Sequence, residues 1–381
     1  MLSGHDSIRK QFPFLEKFIY LDSAHYTPYP KRVVEKINEF INTFTTEYLN
    51  LSKVNIYKAR ELRETFGKVI NASPDDIIIT SNTTHGINIF ANGVELNPGE
   101  NNVAVLDSEF PAVVYPWLNQ EKLGRANVML LQSDKGYANE ALIKRTLIDY
   151  KIKVFNISYV QFLGYRHNIK SIAEFCRKNN IMLVVDAIQA TGICPIDVQD
   201  MSIDYLCTGN QKWMMSPAGL GFTYISKKYR EFIQPTYVGT TSVNYDFDNF
   251  LDYRLEFNPD GTAYENSTLN TLAMIGTDEA LKFFLELGIE NIFTHILEIQ
   301  DRLIELLDSS KYKIESDLSP AHRSNILIFS HTDPTKNKII QKHLEDKKIF
   351  IALREGFLRV SPHVYNNYED VEILAKELNT L

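Results

Sequence analysis

Short apolar runs alternate along the chain with longer stretches whose apolar residues recur every three or four positions, and this alternation predicts strands and helices by turns. Runs at residues 77–80, 102–106, 154–160, 181–185 and 203–207 are continuous rather than alternating, as expected of parallel strands buried on both faces. Helical spacing predicts helices over 33–49, from about 85, over 171–180 and over 338–347, with a long helical stretch at 269–307 broken at Gly288. A short strand near residue 18 and an apolar run at 325–329 complete the pattern. Up to residue 207 the order is that of βαβ units in a parallel sheet.

Two of these runs stop on polar residues. Residues 181–185 end at Asp186, with Gln189 three positions on; residues 203–207 end just before Gly209, Asn210, Gln211 and Lys212. In open α/β sheets ligands sit at the carboxyl ends of the strands, so these side chains are candidates for one pocket. Taken singly, Asp186 also reads as a helix cap or turn residue, and most lysines are solvated. Together they fit pyridoxal phosphate. A lysine that forms an imine needs its amine shifted from its ordinary pKa, an aspartate keeps the pyridine nitrogen protonated, and the Gln189 amide can face the ring's phenolic oxygen.

The segments VVDAIQATG, GNQKW and SPAGLGFTYI together resemble the class V aminotransferase family of fold-type I pyridoxal phosphate enzymes, which includes cysteine desulfurases, kynureninases and isopenicillin N epimerase-like proteins. The resemblance runs over nearly the whole chain. It implies an α/β fold with a mostly parallel, seven-stranded type of sheet in a large domain (16–255) and a smaller α+β domain (1–15 with 256–381). It also implies that Lys212 carries the Schiff base.

Other site residues follow from the same resemblance. The loop ITSNTTHG corresponds to the family's phosphate-binding segment, giving that role to Thr83 and Thr84, with hydroxyls and helix-start amides as the anion cradle. Gln211 and Gly209 stand where the family has phosphate-facing residues, often histidine and serine. Phe110 replaces the histidine that desulfurases stack on the ring; a phenyl can stack but cannot carry a proton. Gln161 stands near a residue that contacts the cofactor, in a loop one residue shorter than usual. In FIYLDSAHYTPYP, His25 lies at the edge of the substrate pocket. Thr240 and Thr241 match a loop donated across a dimer to the partner's phosphate, which implies a homodimer with shared active sites. In RVSPHVYN, Arg359 corresponds to the arginine that grips a substrate carboxylate, with Arg354 a weaker competitor.

Composition narrows the picture. The 381 residues carry 40 Lys+Arg against 48 Asp+Glu, a net charge of −8 that argues against nucleic acid and anionic membrane partners. No run approaches the roughly 20 apolar residues of a membrane span, and the polar N-terminus lacks a signal-peptide core. Cys176, Cys194 and Cys207 read as buried thiols of a reducing compartment, so a cytoplasmic protein is expected. The cysteines lack metal-site spacing, and no metal is expected. Between residues 349 and 359 there is no cysteine, unlike the nucleophile-bearing loop of desulfurases. The expected activity is therefore that of an enzyme on a small α-amino acid. Transamination or β-elimination rank before epimerisation, and a non-catalytic cofactor-binding module is the alternative of another class.

Overall fold

The computed structural model describes residues 2–134, 136–244, 249 and 251–381. After a two-residue strand, β1 (Ile19–Tyr20), seven strands build the central sheet: β2 (Ile77–Thr80), β3 (Asn102–Leu106), β4 (Asn127–Leu131), β5 (Val154–Ser158), β6 (Met182–Asp186), β7 (Tyr205–Gly209) and β8 (Gly221–Ile225). Their order is β2-β8-β7-β6-β5-β3-β4. All neighbours are parallel except β8, which runs antiparallel to both β2 and β7. Two antiparallel steps restore the direction, so β2 ends at the same edge as β3, β5, β6 and β7.

The apolar runs are continuous because each strand feeds two cores. Ile77 and Ile79, Ala104 and Leu106, and Leu183 and Val185 face a core shared with the helices Leu51–Ile70 and Thr271–Leu287. The intervening Ile78, Val103, Val105 and Val184 face a second core with Ile87, Phe90 and Trp117 from the helices Thr83–Gly93 and Pro111–Lys122. This is the period-two alternation of a pleated strand with both faces covered. The edge strand β4 is the exception and leaves Leu130 exposed.

A second sheet lies toward the C-terminus: β9 (Tyr312–Ile314), β10 (Leu327–His331), β12 (Ala352–Arg354) and β13 (Phe357–Val360), in the antiparallel order β12-β13-β10-β9. Between them β11 (Ile349–Phe350) pairs in parallel with β1. The N-terminal segment continues along this sheet: Ser361 donates to Leu21 O at 2.7 Å and Ser23 to Ser361 O at 3.1 Å. Residues 22–27 are thereby held against the edge where the central strands end.

Predicted helices appear with shifted ends, as Lys31–Thr46, Thr83–Gly93, Ile169–Lys178 and Asn337–Asp346. The break at Gly288 separates Thr271–Leu287 from Ile289–Leu306, and its φ of +79° is one glycine adopts without the steric cost other residues meet. The helix Leu51–Ile70 is additional to the sequence reading.

Candidate active site

Three loops at the carboxyl edge of the sheet meet around Lys212. The lysine follows β7, and its partly buried side chain places Nζ 5.6 Å from the centre of the Phe110 ring. Burial pulls its pKa down to about 8; Asp186 opposes that shift, and the guanidiniums of Arg359 and Arg354 add to it. Asp186 ends β6, 2% exposed, with Oδ1 accepting from the Ile188 N–H at 2.9 Å. Burial raises its carboxyl to about 6 against the pull of that N–H and of Lys212. An amine poised near neutrality and a sealed carboxyl at the ends of adjacent strands form an acid–base pair of the kind found at catalytic sites.

The loop after β6 is tied to the lysine loop. Gln189 is buried, accepts from Trp213 Nε1 at 2.7 Å and donates to Ala24 O at 3.1 Å, which leaves one amide hydrogen for another partner. Thr27 donates to the Lys212 carbonyl, and His363 Nε2 lies 3.0 Å from Trp213 O. The backbone around Lys212 is thus fixed from the N-terminal segment and from the C-terminal sheet at once.

A cradle opens on the side of β2. Thr83 and Thr84 begin the helix Thr83–Gly93, capped by the Asn82 side chain accepting from the His85 N–H. A helix start leaves its first amides free to bind an anion. Thr83 is buried and its Oγ1 has no hydrogen-bond partner; Thr84 is exposed. A Cβ added at Gly209 would sit 2.7 Å from Gln211 Oε1 and 3.3 Å from Thr83 Oγ1, so Gly209, Gln211 and Thr83 converge on one small space.

Phe110 approaches Lys212 from the loop after β3. It stands 48% exposed at the start of the helix Pro111–Lys122, its ring edge-on to Phe162 at 6.1 Å. Beneath it lies Glu109, which the sequence reading did not single out. Its carboxylate accepts from the Ser158 amide at 2.8 Å, from Ser158 Oγ at 2.5 Å and from Gln161 Nε2 at 2.7 Å. Burial raises it to about 7 despite these bonds, with the Asp186 charge adding to the rise. Gln161 is fully buried, and its Oε1 is without a partner. The short loop turns sharply at Gly164, φ +94°, where a Cβ would lie 2.8 Å from Ile326 O.

Arg359 is closed off from solvent. Its side chain is 2% exposed and donates to Asp22 Oδ1 at 3.1 Å and to Phe162 O at 3.0 Å. Asp22 also faces His25, whose Nδ1 is 3.6 Å from Oδ2 and whose ring is mostly exposed. Thr240 and Thr241 are not brought to Lys212 within the chain. They sit in a short 3-10 turn whose Thr241 carbonyl accepts from Asn258, and Thr241 Oγ1 is buried without a partner. Among the described residues no group of three or more His, Cys, Asp or Glu is placed to hold a metal ion, and no helix is long and apolar enough to cross a membrane.

Residues 19–374 match the family described as Aminotransferase class-V. The chain belongs to the class V aminotransferases. This family of pyridoxal phosphate enzymes has similar curated members over almost their full length: an uncharacterized aminotransferase of Schizosaccharomyces pombe is 27% identical over 98% of this chain and 94% of its own. A probable cysteine desulfurase of Methanothermobacter thermautotrophicus is likewise 27% identical, over 99% and 98%. Among solved structures, a cysteine desulfurase from Thermococcus onnurineus superposes with a TM-score of 0.86 at 21% identity over 100% of this chain and 99% of its own. The cystine C-S lyase C-DES gives 0.84 at 21% over 97% and 99%. The fold is that of these fold-type I enzymes.

The residues of this class V aminotransferase fit pyridoxal phosphate. The orphaned Thr83 Oγ1 and the amides beside it suit a phosphate, the sealed Asp186 carboxyl suits a pyridinium N–H, and Lys212 Nζ stands 5.6 Å from the centre of the Phe110 ring.

Proposed function

We propose that this enzyme transaminates a small α-amino acid, with Lys212 both holding pyridoxal phosphate and acting as base at the substrate Cα. The observation that carries the reading is the placement of Lys212: it follows β7 with Nζ 5.6 Å from the Phe110 ring, beside the strand that ends in the buried Asp186, and burial lowers its amine to about 8. At neutral pH such an amine exchanges protons far more readily than an ordinary lysine. Bound there, pyridoxal phosphate supplies an electron sink for negative charge developing at Cα.

The chain's own groups do the rest. Thr83, Thr84 and Gln211 hold the phosphate, Asp186 keeps a proton on the ring nitrogen, Gln189 offers its remaining amide hydrogen, and Gln161 closes the wall beside Glu109. Phe110, half exposed beside Lys212, would offer a face for a bound ring to stack on but can move no proton. Lys212 Nζ therefore takes the Cα proton and also returns one, which suits a reaction that needs a single shuttling base. A second reading, β-elimination from a sulfur amino acid, uses the same base. The three buried thiols are compatible with it, since release of a small sulfur product needs no protein thiol.

The active unit in this reading is a homodimer, in which Thr240 and Thr241 reach the partner's phosphate. Tyr48, Tyr57, Tyr253 and Leu255 stand largely exposed, and the helix Lys31–Thr46 buries only Val33, leaving apolar surface for a second copy to cover. The free thiols suit a reducing, cytoplasmic setting.

The test is the near-visible absorption of the purified protein beside that of Lys212→Ala. A yellow band in the wild type that is lost or moved in the variant supports the reading, and keto-acid or sulfide release across an amino-acid panel then separates the two reactions. A wild type that stays colourless with added pyridoxal phosphate overturns it.

A further inference from the structure

Phe162 joins the two ends of the candidate site. Its carbonyl accepts from Arg359 Nη1 at 3.0 Å, and its ring meets the Phe110 ring edge to face, with 6.1 Å between centres. Phe110 in turn has Lys212 Nζ 5.6 Å from its own centre. The family resemblance gives Arg359 to a substrate carboxylate, and the buried Nε of that guanidinium has no hydrogen-bond partner. In the amino-acid reading of the site, a substrate points its carboxylate toward Arg359 and its amine toward Lys212. The residue that touches both the arginine and the ring beside the lysine is Phe162.

Its ring is held in place. Phe162 packs against the first of the two cores yet stays partly exposed. Its neighbour Gln161 donates to Glu109 at 2.7 Å, and Glu109 is the neighbour of Phe110, so one buried hydrogen bond pins the residues next to both rings. The loop behind is tight: the Gly164 N–H donates to Gln161 O at 2.7 Å, and the Gln161 N–H to Tyr165 O at 2.8 Å. A wall fixed in this way costs little to order when a ligand arrives. Its chemistry is one-sided. Phenyl rings attract apolar groups, other rings and sulfur, whereas a carboxylate or amide laid against them loses water and gains no hydrogen bond.

We propose that Phe162 determines which side chain the substrate carries: with Phe110 beside it, it receives an aliphatic, aromatic or thioether group. Amino acids such as leucine, methionine and phenylalanine are then preferred to aspartate, glutamate and glutamine. The proposal rests on the amino-acid reading of the site above and adds the side chain to it.

The experiment titrates the holoenzyme with L-alanine, leucine, methionine, phenylalanine, glutamine and aspartate, following the near-visible absorption, which responds to amino-acid binding whichever reaction follows. In the wild type the three large apolar amino acids should half-saturate at concentrations about tenfold or more below alanine, as a few extra carbons on an apolar wall would give. Phe162→Ala should shrink the preference for leucine over alanine about tenfold. Phe162→Leu keeps apolar bulk without the ring, which also guards against misfolding, and should lose preference for phenylalanine more than for leucine. Equal weakening of every amino acid in Phe162→Ala, alanine included, would show that the residue only positions Arg359 and Phe110, and would overturn the proposal. Unaltered preferences in both variants, or a wild type that favours aspartate or glutamine, would overturn it too while leaving the reading of the site intact. A wild type whose absorption responds to no amino acid would overturn that reading, and this proposal with it.

Discussion

Trp213 donates its indole N–H to the side-chain oxygen of Gln189 at 2.7 Å, joining the residue after Lys212 to the loop that follows Asp186. Two strand-end loops are thus locked in register beneath the candidate cofactor site. Trp213→Phe removes the donor and leaves a buried amide oxygen unpaired, at a cost on the order of 1–3 kcal/mol. The expected result is a lower unfolding midpoint together with weaker retention of pyridoxal phosphate on dialysis. An unchanged midpoint would mean that water replaces the indole.

Glu109 makes stability depend on pH in a direction opposite to most carboxylates. Its carboxyl rises from an ordinary 4.5 to about 7 in the fold. Between those values the folded state binds more protons than the unfolded one, so stability falls as pH rises from about 4.5 to about 7. The full shift corresponds to a change on the order of 3 kcal/mol. Chemical unfolding of cofactor-free wild type and Glu109→Gln at several pH values checks this: the wild type should lose stability relative to the variant as pH rises. A difference that does not vary with pH would show that Glu109 ionises normally.

Gly221 decides how closely β8 approaches the helix start that carries Thr83. A Cβ there would lie 2.5 Å from the Thr208 carbonyl and 3.0 Å from Asn82 Cα, both backbone atoms that cannot turn aside. Gly221→Ala should push the Asn82–Thr84 turn outward and weaken pyridoxal phosphate binding by at least tenfold, roughly the effect of losing one charge-assisted hydrogen bond. Cofactor titration of the apoprotein measures it. Unaltered affinity in a folded variant would separate this turn from the phosphate.

Much of the architecture was legible in the sequence because short continuous runs of β-formers bounded by turn residues read as strands covered on both faces. The two runs that ended at Asp186 and before Gly209 proved to be neighbouring parallel strands, paired through Asp186 and Cys207. Gly288 was legible as a helix break for a similar reason: it interrupts a long 3.6-residue pattern. The helix Leu51–Ile70 escaped the reading, although Asn50 caps its start and Asn71 ends it at φ 54°. Its inward face mixes Ala59, Leu62, Phe66, Val69 and Ile70 with the buried polar Asn55 and Thr65, and charged residues stand between them. Antiparallel β8 could not be inferred from local pattern, since pairing direction depends on partners distant in sequence. The same limit applies to the pairing of Asp22 with Arg359, 337 residues apart. Sequence reading gave Arg359 to the substrate carboxylate, and its ion pair with Asp22 became visible only in the fold. Glu109 was in plain view beside Phe110, but only packing shows that its carboxyl is buried and shares the Asp186 neighbourhood.

The three thiols bear on which chemistry the site can complete. Cys176 and Cys194 are buried and pushed up to about 12 by that burial, and Cys207 shifts in the same direction. A thiol held neutral and out of solvent is neither a nucleophile nor a sulfur acceptor. The native protein should therefore react with none of its cysteines on the time scale in which the unfolded chain titrates all three. If cysteine or cystine proves to be turned over, the sulfur should leave on a small product, and mass spectrometry of the protein after turnover should find no added sulfur on Cys176, Cys194 or Cys207. A persulfide on any of them would require that region to open during the reaction. It would also restore the desulfurase mechanism that the cysteine-free stretch from residue 349 to Arg359 argues against.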